Sequence, residues 1–333
     1  MNSQVNNIQN IVAVVIGRNE GQRLITCLDS LLGCVLHIVY VDSGSSDQSV
    51  QEAKNRNIGC VSLDMSIPFT AARARNEGVK YLLQHASGFK YIQFIDGDCE
   101  IDFLWIDKAH VFLNENTEYA AVCGRRRERY PQYSIYNQLC DIEWNTPIGD
   151  ALACGGDALI RADAFQQVEG YREDLIAGEE PEMCFRLRRL AWKVYRLDAE
   201  MTLHDAAMTQ FSQWWRRAKR AGYAYAGSCY LHGRSAEKFK VKQVMSIITW
   251  AFLMPVFIVL LSLQSFLFLF LFTIFPIQVF RLMIKEVPYL TSYKNSFFYA
   301  LSNVVSKFPQ FIGLMKFVVN NYQGRQATLI EYK

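Results

Sequence analysis

The chain has 333 residues, a formal net charge of +3 and an apolar fraction of 51%. So small a charge excludes a nucleic-acid surface argued from composition, and no nucleic-acid partner is expected. Nine cysteines with no C-x-x-C pair exclude a patterned disulfide frame or zinc ribbon and fit buried thiols in a reducing compartment.

Met1–Asn10 is polar and Ile11–Ile16 is too short for a signal core, so no cleaved signal peptide is expected. Ile11–Gly17 is a continuous β-branched run, as expected of a central parallel strand covered on both faces. Arg18, Asn19 and Glu20 follow at its carboxyl end. Arg23–Leu32 carries apolar residues at helical spacing. His37–Val41 is a second strand, ending in the polar run Asp42–Asp47, and Gln48–Asn55 reads as a helix capped by it. Gly59–Leu63 is a third short strand, and Phe69–Gln84 a helix bearing Arg73, Arg75 and Asn76. Tyr91–Ile95 is a fourth apolar strand, stopping at Asp96-Gly97-Asp98. Strands alternating with helices predict an α/β fold with a doubly wound, mostly parallel sheet.

In such sheets ligands bind outside the carboxyl ends of the strands. The polar clusters at Arg18–Glu20, Asp42–Asp47 and Asp96–Asp98 all sit at such ends. Two carboxylates flanking a glycine repel each other unless a hard cation joins them, and Mg2+ or Mn2+ shares its shell between carboxylates and phosphates. A strand-ending turn is the ordinary reading of D-G-D alone. The chain has neither G-x-G-x-x-G after its first strand nor G-x-x-x-x-G-K-[ST] anywhere, which disfavours a dinucleotide cofactor or P-loop. A nucleoside diphosphate held by a metal fits better. Asp42 suits a base N–H, Ser43 lies beside it, and Arg73 or Arg75 suits phosphate oxygens.

V-V-I-G-R-N-E, V-D-S-G-S-S-D, A-R-A-R-N-E-G and F-I-D-G-D, in that order and spacing, resemble a family 2 glycosyltransferase of the GT-A fold over about residues 10–225. The resemblance implies inverting sugar transfer from a nucleotide-sugar donor, with metal at Asp98 and Asp96; a late histidine, His204, either completes that site or is a hydrogen-bonded structural residue. Gly155, Gly156 and Asp157 match its acceptor-side segment. Gly178-Glu179-Glu180 matches its acidic pair, with Glu180 at the position of the general base, Asp in most members. Glu179 and Glu182 are the substitutes, and helix N-terminal charge is the plain reading of all three. Gln213-Trp214-Trp215-Arg216-Arg217 resembles the processive Q-x-x-R-W motif with Arg217 in place of the last Trp, which makes Trp215 and Arg216 acceptor-side candidates and weakens a processive role. Arg125–Arg129, after an expected strand over Ala120–Gly124, reads as a solvated turn or a contact for an acidic acceptor.

Gln243–Phe280 holds no charged residue over 38 positions, about twice a spanning length. Lysines precede it, and Arg281 and Lys285 follow. Positive flanks on both sides favour a hairpin or re-entrant pair turning near Ser262–Ser265, kinked by Pro255 or Pro276. Phe297–Val319 reads as an interfacial amphipathic helix. The expected organisation is a catalytic domain over 10–235, a transmembrane or re-entrant segment over 243–281 and an interfacial tail over 282–333. It faces the cytosol at the cytoplasmic membrane, toward a lipid-linked or polysaccharide acceptor. The competing readings are a nucleotidyltransferase of related fold, which usually carries a glycine-rich basic loop early in the chain, and a non-catalytic glycan-binding subunit.

Overall fold

The computed structural model describes residues 10–290 and 292–325. The expected absence of a signal core over residues 1–9, and the end of the expected tail over 326–333, lie outside the described residues.

The fold starts from Ile11–Gly17 (β1), whose residues 11–15 are fully buried. Five buried aliphatic positions in a row leave both faces of the strand to be covered, which places it inside the sheet. His37–Asp42 (β2), Gly59–Ser62 (β3) and Tyr91–Asp96 (β4) join it in parallel, in the order β3-β2-β1-β4. Gln22–Leu31 (α1), Ser49–Asn55 (α2) and Ala71–His85 (α3) are the crossovers. Thr70 starts α3 by accepting from the Arg73 N–H, so a cap fixes the turn from which Arg75 projects.

Beyond β4 the sheet becomes mixed. Cys99–Ile101 (β5), Trp105–Glu115 (α4), Tyr119–Glu128 (β6), Ile135–Trp144 (α5), Gly149–Asp150 (β7), Ala158–Arg161 (β8), Ala162–Gln167 (α6), Glu179–Arg189 (α7) and Lys193–His204 (β9) follow in the chain. The strand order continues β4-β8-β6-β9-β5, with β7 also on β9. Strand β8 runs antiparallel to both β4 and β6, and β5 antiparallel to β9, while β6 and β9 are parallel. The mostly parallel sheet expected from the sequence therefore holds for its first half only. One further expectation is corrected. Strand β6 does not stop at Gly124 but runs through the arginines to Glu128, because β9 supplies partners there across three register shifts.

Two compact units result. One runs to Tyr130 and resumes over Glu143–Ala206; the other comprises Pro131–Ile142 and the described residues from Ala207 onward. The second unit holds Phe211–His232 (α8), Val241–Ile248 (α9), Met254–Ser262 (α10), Ile274–Leu290 (α11), Tyr293–Val305 (α12) and Lys307–Tyr322 (α13). A π-helical turn over Thr249–Leu253 links α9 to α10, so Val241–Ser262 is one continuous helix. Pro255 lacks an N–H for the preceding turn, and the wider π turn absorbs the missing bond. A second long helix spans Phe266–Val287, and both are long and apolar enough to cross a membrane by length and composition. The break falls at Leu263–Ser265, where a hairpin was expected. The apolar windows of the two helices are only 11% and 6% buried, unlike a hairpin packed inside a soluble core.

The expected single helix over Phe297–Val319 is two. Pro309 lies in the first turn of α13, where a proline costs no hydrogen bond. Helix α13 packs on α8 through glycines on both: a Cβ at Gly313 would overlap the Lys219 carbonyl, and one at Gly222 would overlap the Gln310 carbonyl. Gly313→Leu is therefore expected to destabilise this unit by at least about 1–3 kcal/mol, seen as a lower thermal midpoint in detergent.

Candidate active site

The carboxyl ends of β1, β2 and β4 are stitched to one another. The Asn19 N–H donates to Ser45 Oγ at 2.9 Å, and Asn19 Oδ1 accepts the Ser46 N–H at 2.7 Å. Asp42, 4% exposed, accepts the Gly44 and Ser45 N–H groups on Oδ2, both at 3.0 Å, and the Tyr40 hydroxyl on Oδ1 at 3.0 Å. It shapes the loop after β2. The Ser43 N–H donates to the Gly17 carbonyl at 3.1 Å and the Gly97 N–H to that of Ile16 at 2.8 Å. Glu20 pairs with Arg23 at 2.7 Å, and the Arg18 guanidinium stands over the Phe69 ring at 5.0 Å.

Asp96 and Asp98 leave β4 in different directions. Asp96 Oδ1 meets the Arg75 guanidinium at 2.8 Å; the same guanidinium reaches Glu179 Oε1 at 2.9 Å. Arg75 is 2% exposed. Burial opposes its charge, but Asp96, Tyr171 and Glu179 outweigh burial and raise its pKa above the usual arginine value. Asp98 instead faces His204, with Oδ1 and Nε2 3.2 Å apart. The strand register produces this meeting, since Cys99 of β5 pairs with His204 of β9. Burial, and then the nearby Arg126 charge, lower the His204 pKa to about 4, so the imidazole is neutral at ordinary pH. Its Nδ1 is buried with no hydrogen-bond partner, and the Trp144 ring meets it edge-on at 4.6 Å.

These residues fit a hard divalent cation. A carboxylate beside a neutral imidazole is a suitable donor pair, and an unpartnered buried ring nitrogen marks incomplete satisfaction without a ligand. Cys99 Sγ lies 3.7 Å from Asp98 Oδ1, a soft donor that a hard cation does not favour. Beside the Asp98–His204 pair, Arg75 meets Asp96 and Glu179, and Arg126 meets Asp157.

Asp157 does not stand where an acceptor could touch it. It is fully buried: Oδ1 accepts the Asp96 N–H at 3.1 Å, and Oδ2 takes the Thr202 hydroxyl and Arg126 Nη2, each at 2.8 Å. It positions Asp96 and Arg126. Gly156 lies at the cluster itself, where a Cβ would come within 2.9 Å of Arg75, 3.0 Å of Asp96 and 3.3 Å of Arg126. Gly155 next to it is in the left-handed region, φ 83°.

The acidic pair separates into two roles. Glu179 holds Arg75. Glu180 is 6% exposed, and its Oε1 accepts the Cys154 N–H at 2.5 Å and the Cys184 thiol at 3.1 Å. Glu182 is fully buried and paired with Arg186 at 2.8 Å, which removes it as a substitute base. Two donor-side candidates also lie outside the charged cluster. Arg73 donates to the carbonyls of Ile67 and Asp64, and Asn76 ties α3 to Tyr171 and Glu173. Trp215 is half-buried and Arg216 exposed on α8, in the second unit. Sequence reasoning missed Arg126, placed in a solvated turn; it sits inside β6, pairs with Asp157 and lies 3.9 Å from Asp96. The one available signal is that the R-R-R-E-R run directly extends an apolar strand.

Residues 12–168 match the glycosyl transferase family 2 profile. No curated protein matches the sequence. Among solved structures, the mannosyltransferase PcManGT from Pyrobaculum calidifontis, in complex with GDP-Man and Mn2+, aligns over 92% of this chain and 87% of its own. The identity is 14% and the TM-score 0.61, a likeness of fold. Glucosyl-3-phosphoglycerate synthase from Mycobacterium tuberculosis, in complex with Mn2+ and UDP-glucose, aligns over 67% and 79% at 16% identity and a TM-score of 0.48. The match over residues 12–168, carried on a mixed α/β sheet of the GT-A kind, gives this chain a glycosyl transferase family 2 domain, and the protein is a glycosyltransferase.

Proposed function

We propose that this enzyme transfers a sugar, with inversion, from a nucleoside-diphosphate sugar to a lipid-linked or polysaccharide-precursor acceptor at the cytoplasmic membrane, its catalytic side facing the cytosol. The observation that carries the reading is the Asp96-Gly97-Asp98 turn, with one carboxylate on Arg75 and the other beside a neutral His204. Asp98 and His204 hold Mg2+ or Mn2+, with Asp96 close by. Bound there, the cation neutralises charge on the departing diphosphate as a Lewis acid. The neighbouring structure with GDP-Man and Mn2+ accords with this reading.

The chain's own groups divide the remaining work. Asp42 and Ser43 line the loop suited to a nucleotide base, with Arg18, Asn19 and Glu20 beside it. Arg75, anchored by Glu179, fixes Asp96; Gly97 and Gly156 keep the backbone low around it. Glu180 is the general base. Both of its hydrogen bonds fall on Oε1, which leaves Oε2 to take the acceptor hydroxyl's proton during in-line attack. Gly155 on the adjacent segment, and Trp215 and Arg216 on α8, are the acceptor-side candidates. The two long apolar helices support membrane attachment, where a lipid-linked acceptor is met. A panel of nucleotide sugars incubated with the full chain in detergent is the test. One donor is expected to be hydrolysed with Mn2+ and not with chelator; turnover untouched by chelation would sink the metal-assisted reading.

A further inference from the structure

A second set of metal-ligating groups lies behind the proposed base. Cys154 precedes β8, while Glu180 and Cys184 stand one turn apart on α7, at the i,i+4 spacing that shares a face. The two sulfurs are 3.6 Å apart, Cys184 Sγ is 3.1 Å from Glu180 Oε1, and one ligand atom from each residue lies within 4.8 Å of the other two. All three residues are buried. Zinc–sulfur bonds of about 2.3 Å in a tetrahedron put two sulfurs about 3.8 Å apart, which is the separation found here to within a few tenths of an ångström. Neither Cys154 nor Cys184 is in a disulfide.

The two clusters differ in chemistry. Asp98 and His204 offer a carboxylate oxygen and an imidazole, which suit Mg2+ or Mn2+. Two thiolates with one carboxylate select Zn2+ or its heavier analogue Cd2+ instead. We propose that Cys154, Cys184 and Glu180 form a site for a thiophilic divalent cation, Zn2+ above all, and that its occupation withdraws Glu180 from the acceptor and stops transfer. The inhibitory half rests on Glu180 being the general base. Binding releases the two thiol protons to solvent, because only thiolates ligate. The metal then takes the carboxylate that otherwise accepts the hydroxyl proton. The sequence hides the site, because Cys154 and Cys184 are 30 residues apart and match no zinc spacing.

The test uses the full chain, reduced, in detergent and saturated with Mn2+, with Cd2+ as a spectroscopic probe and Zn2+ as the inhibitor. Cd2+ is expected to produce a thiolate-to-metal ultraviolet band saturating at one equivalent. The band should be lost in the Cys154→Ser, Cys184→Ser double variant and halved in each single variant, which serve if the double variant does not fold. Zn2+ is expected to inhibit donor turnover over the concentrations that fill the site. The half-inhibiting concentration should rise about tenfold or more in the cysteine variants, each referred to its own zinc-free rate. No band in the wild type, or an equal band in the double variant, overturns the site. A cysteine-dependent band without inhibition overturns the inhibitory role and counts against Glu180 as the base, while the site itself stands.

Discussion

Asp98→Ala is expected to lower metal-dependent donor turnover by about 10³-fold, since Lewis-acid stabilisation of a departing oxyanion is worth several kcal/mol and each 1.36 kcal/mol is tenfold in rate. The reason is local. Asp98 is the carboxylate of the turn that faces His204, whereas Asp96 is already matched by Arg75. Asp98→Asn keeps an acceptor oxygen for His204 and so preserves the packing around Trp144, yet it removes the charge a cation needs. Turnover by Asp98→Asn should therefore fall nearly as far as by Asp98→Ala, with thermal stability closer to wild type. Raising Mn2+ should recover more of the Asn variant than of the Ala variant. His204 sharpens the pH expectation. Its folded pKa of about 4 lies below the ordinary histidine value, so the ring stays neutral until pH falls through that point. Between pH 5 and 7, protonation of His204 should not weaken Mn2+ support of turnover.

Glu180→Gln is expected to reduce kcat by about 10²- to 10⁴-fold, the range supplied by a positioned general base. KM for the donor should stay within about twofold, because the substitution removes basicity and leaves the donor-side groups in place. The amide oxygen of glutamine still accepts the Cys154 N–H and the Cys184 thiol, so the loss belongs to proton transfer and not to a collapsed loop. Glu179→Gln should behave differently. It weakens the hold on Arg75, and through Arg75 on Asp96, so its effect should include a raised KM for the donor. Steady-state rates of donor hydrolysis and transfer for the two variants separate these roles. A silent Glu180→Gln beside a dead Glu179→Gln would reverse them.

The residues that were legible in the sequence are those whose role depends on their immediate neighbours. Ile11–Gly17 and Tyr91–Ile95 announce buried strands because every position is apolar, and the polar residues that end them mark one edge of the sheet. The order of those ends is what raises the expectation of a metal and diphosphate site at Asp96–Asp98, the site proposed above. The unread parts depend on partners distant in sequence. Charged residues in Arg125–Glu128 argue for a turn until β9 brings Thr202 and Glu200 opposite them and Asp157 reaches Arg126. Asp157 looked like an acceptor contact because it lies in the glycine-rich segment that resembles the family's acceptor side. Its burial follows from β8 inserting between β4 and β6, a crossover that no local pattern encodes. The three acids of Glu179–Glu182 are alike in sequence, and only the helix phase sends one to Arg75, one to Cys154 and one to Arg186. In the second unit, the long uncharged run predicted two helices, whereas the fit of α13 on α8 depends on Gly222 meeting the Gln310 backbone and Gly313 the Lys219 backbone, some ninety positions away.

The central claim is that Asp98 couples a divalent cation to a nucleoside diphosphate. Affinity for free nucleoside diphosphates, measured by calorimetry on the full chain with Mn2+ and again with chelator, tests it without an acceptor or any catalysis. For the diphosphate that binds best, wild-type affinity is predicted to drop by about 10²-fold on chelation, or about 2.7 kcal/mol, and Asp98→Ala to bind weakly in both conditions. Equal Mn2+ dependence in the wild type and Asp98→Ala would contradict the assignment.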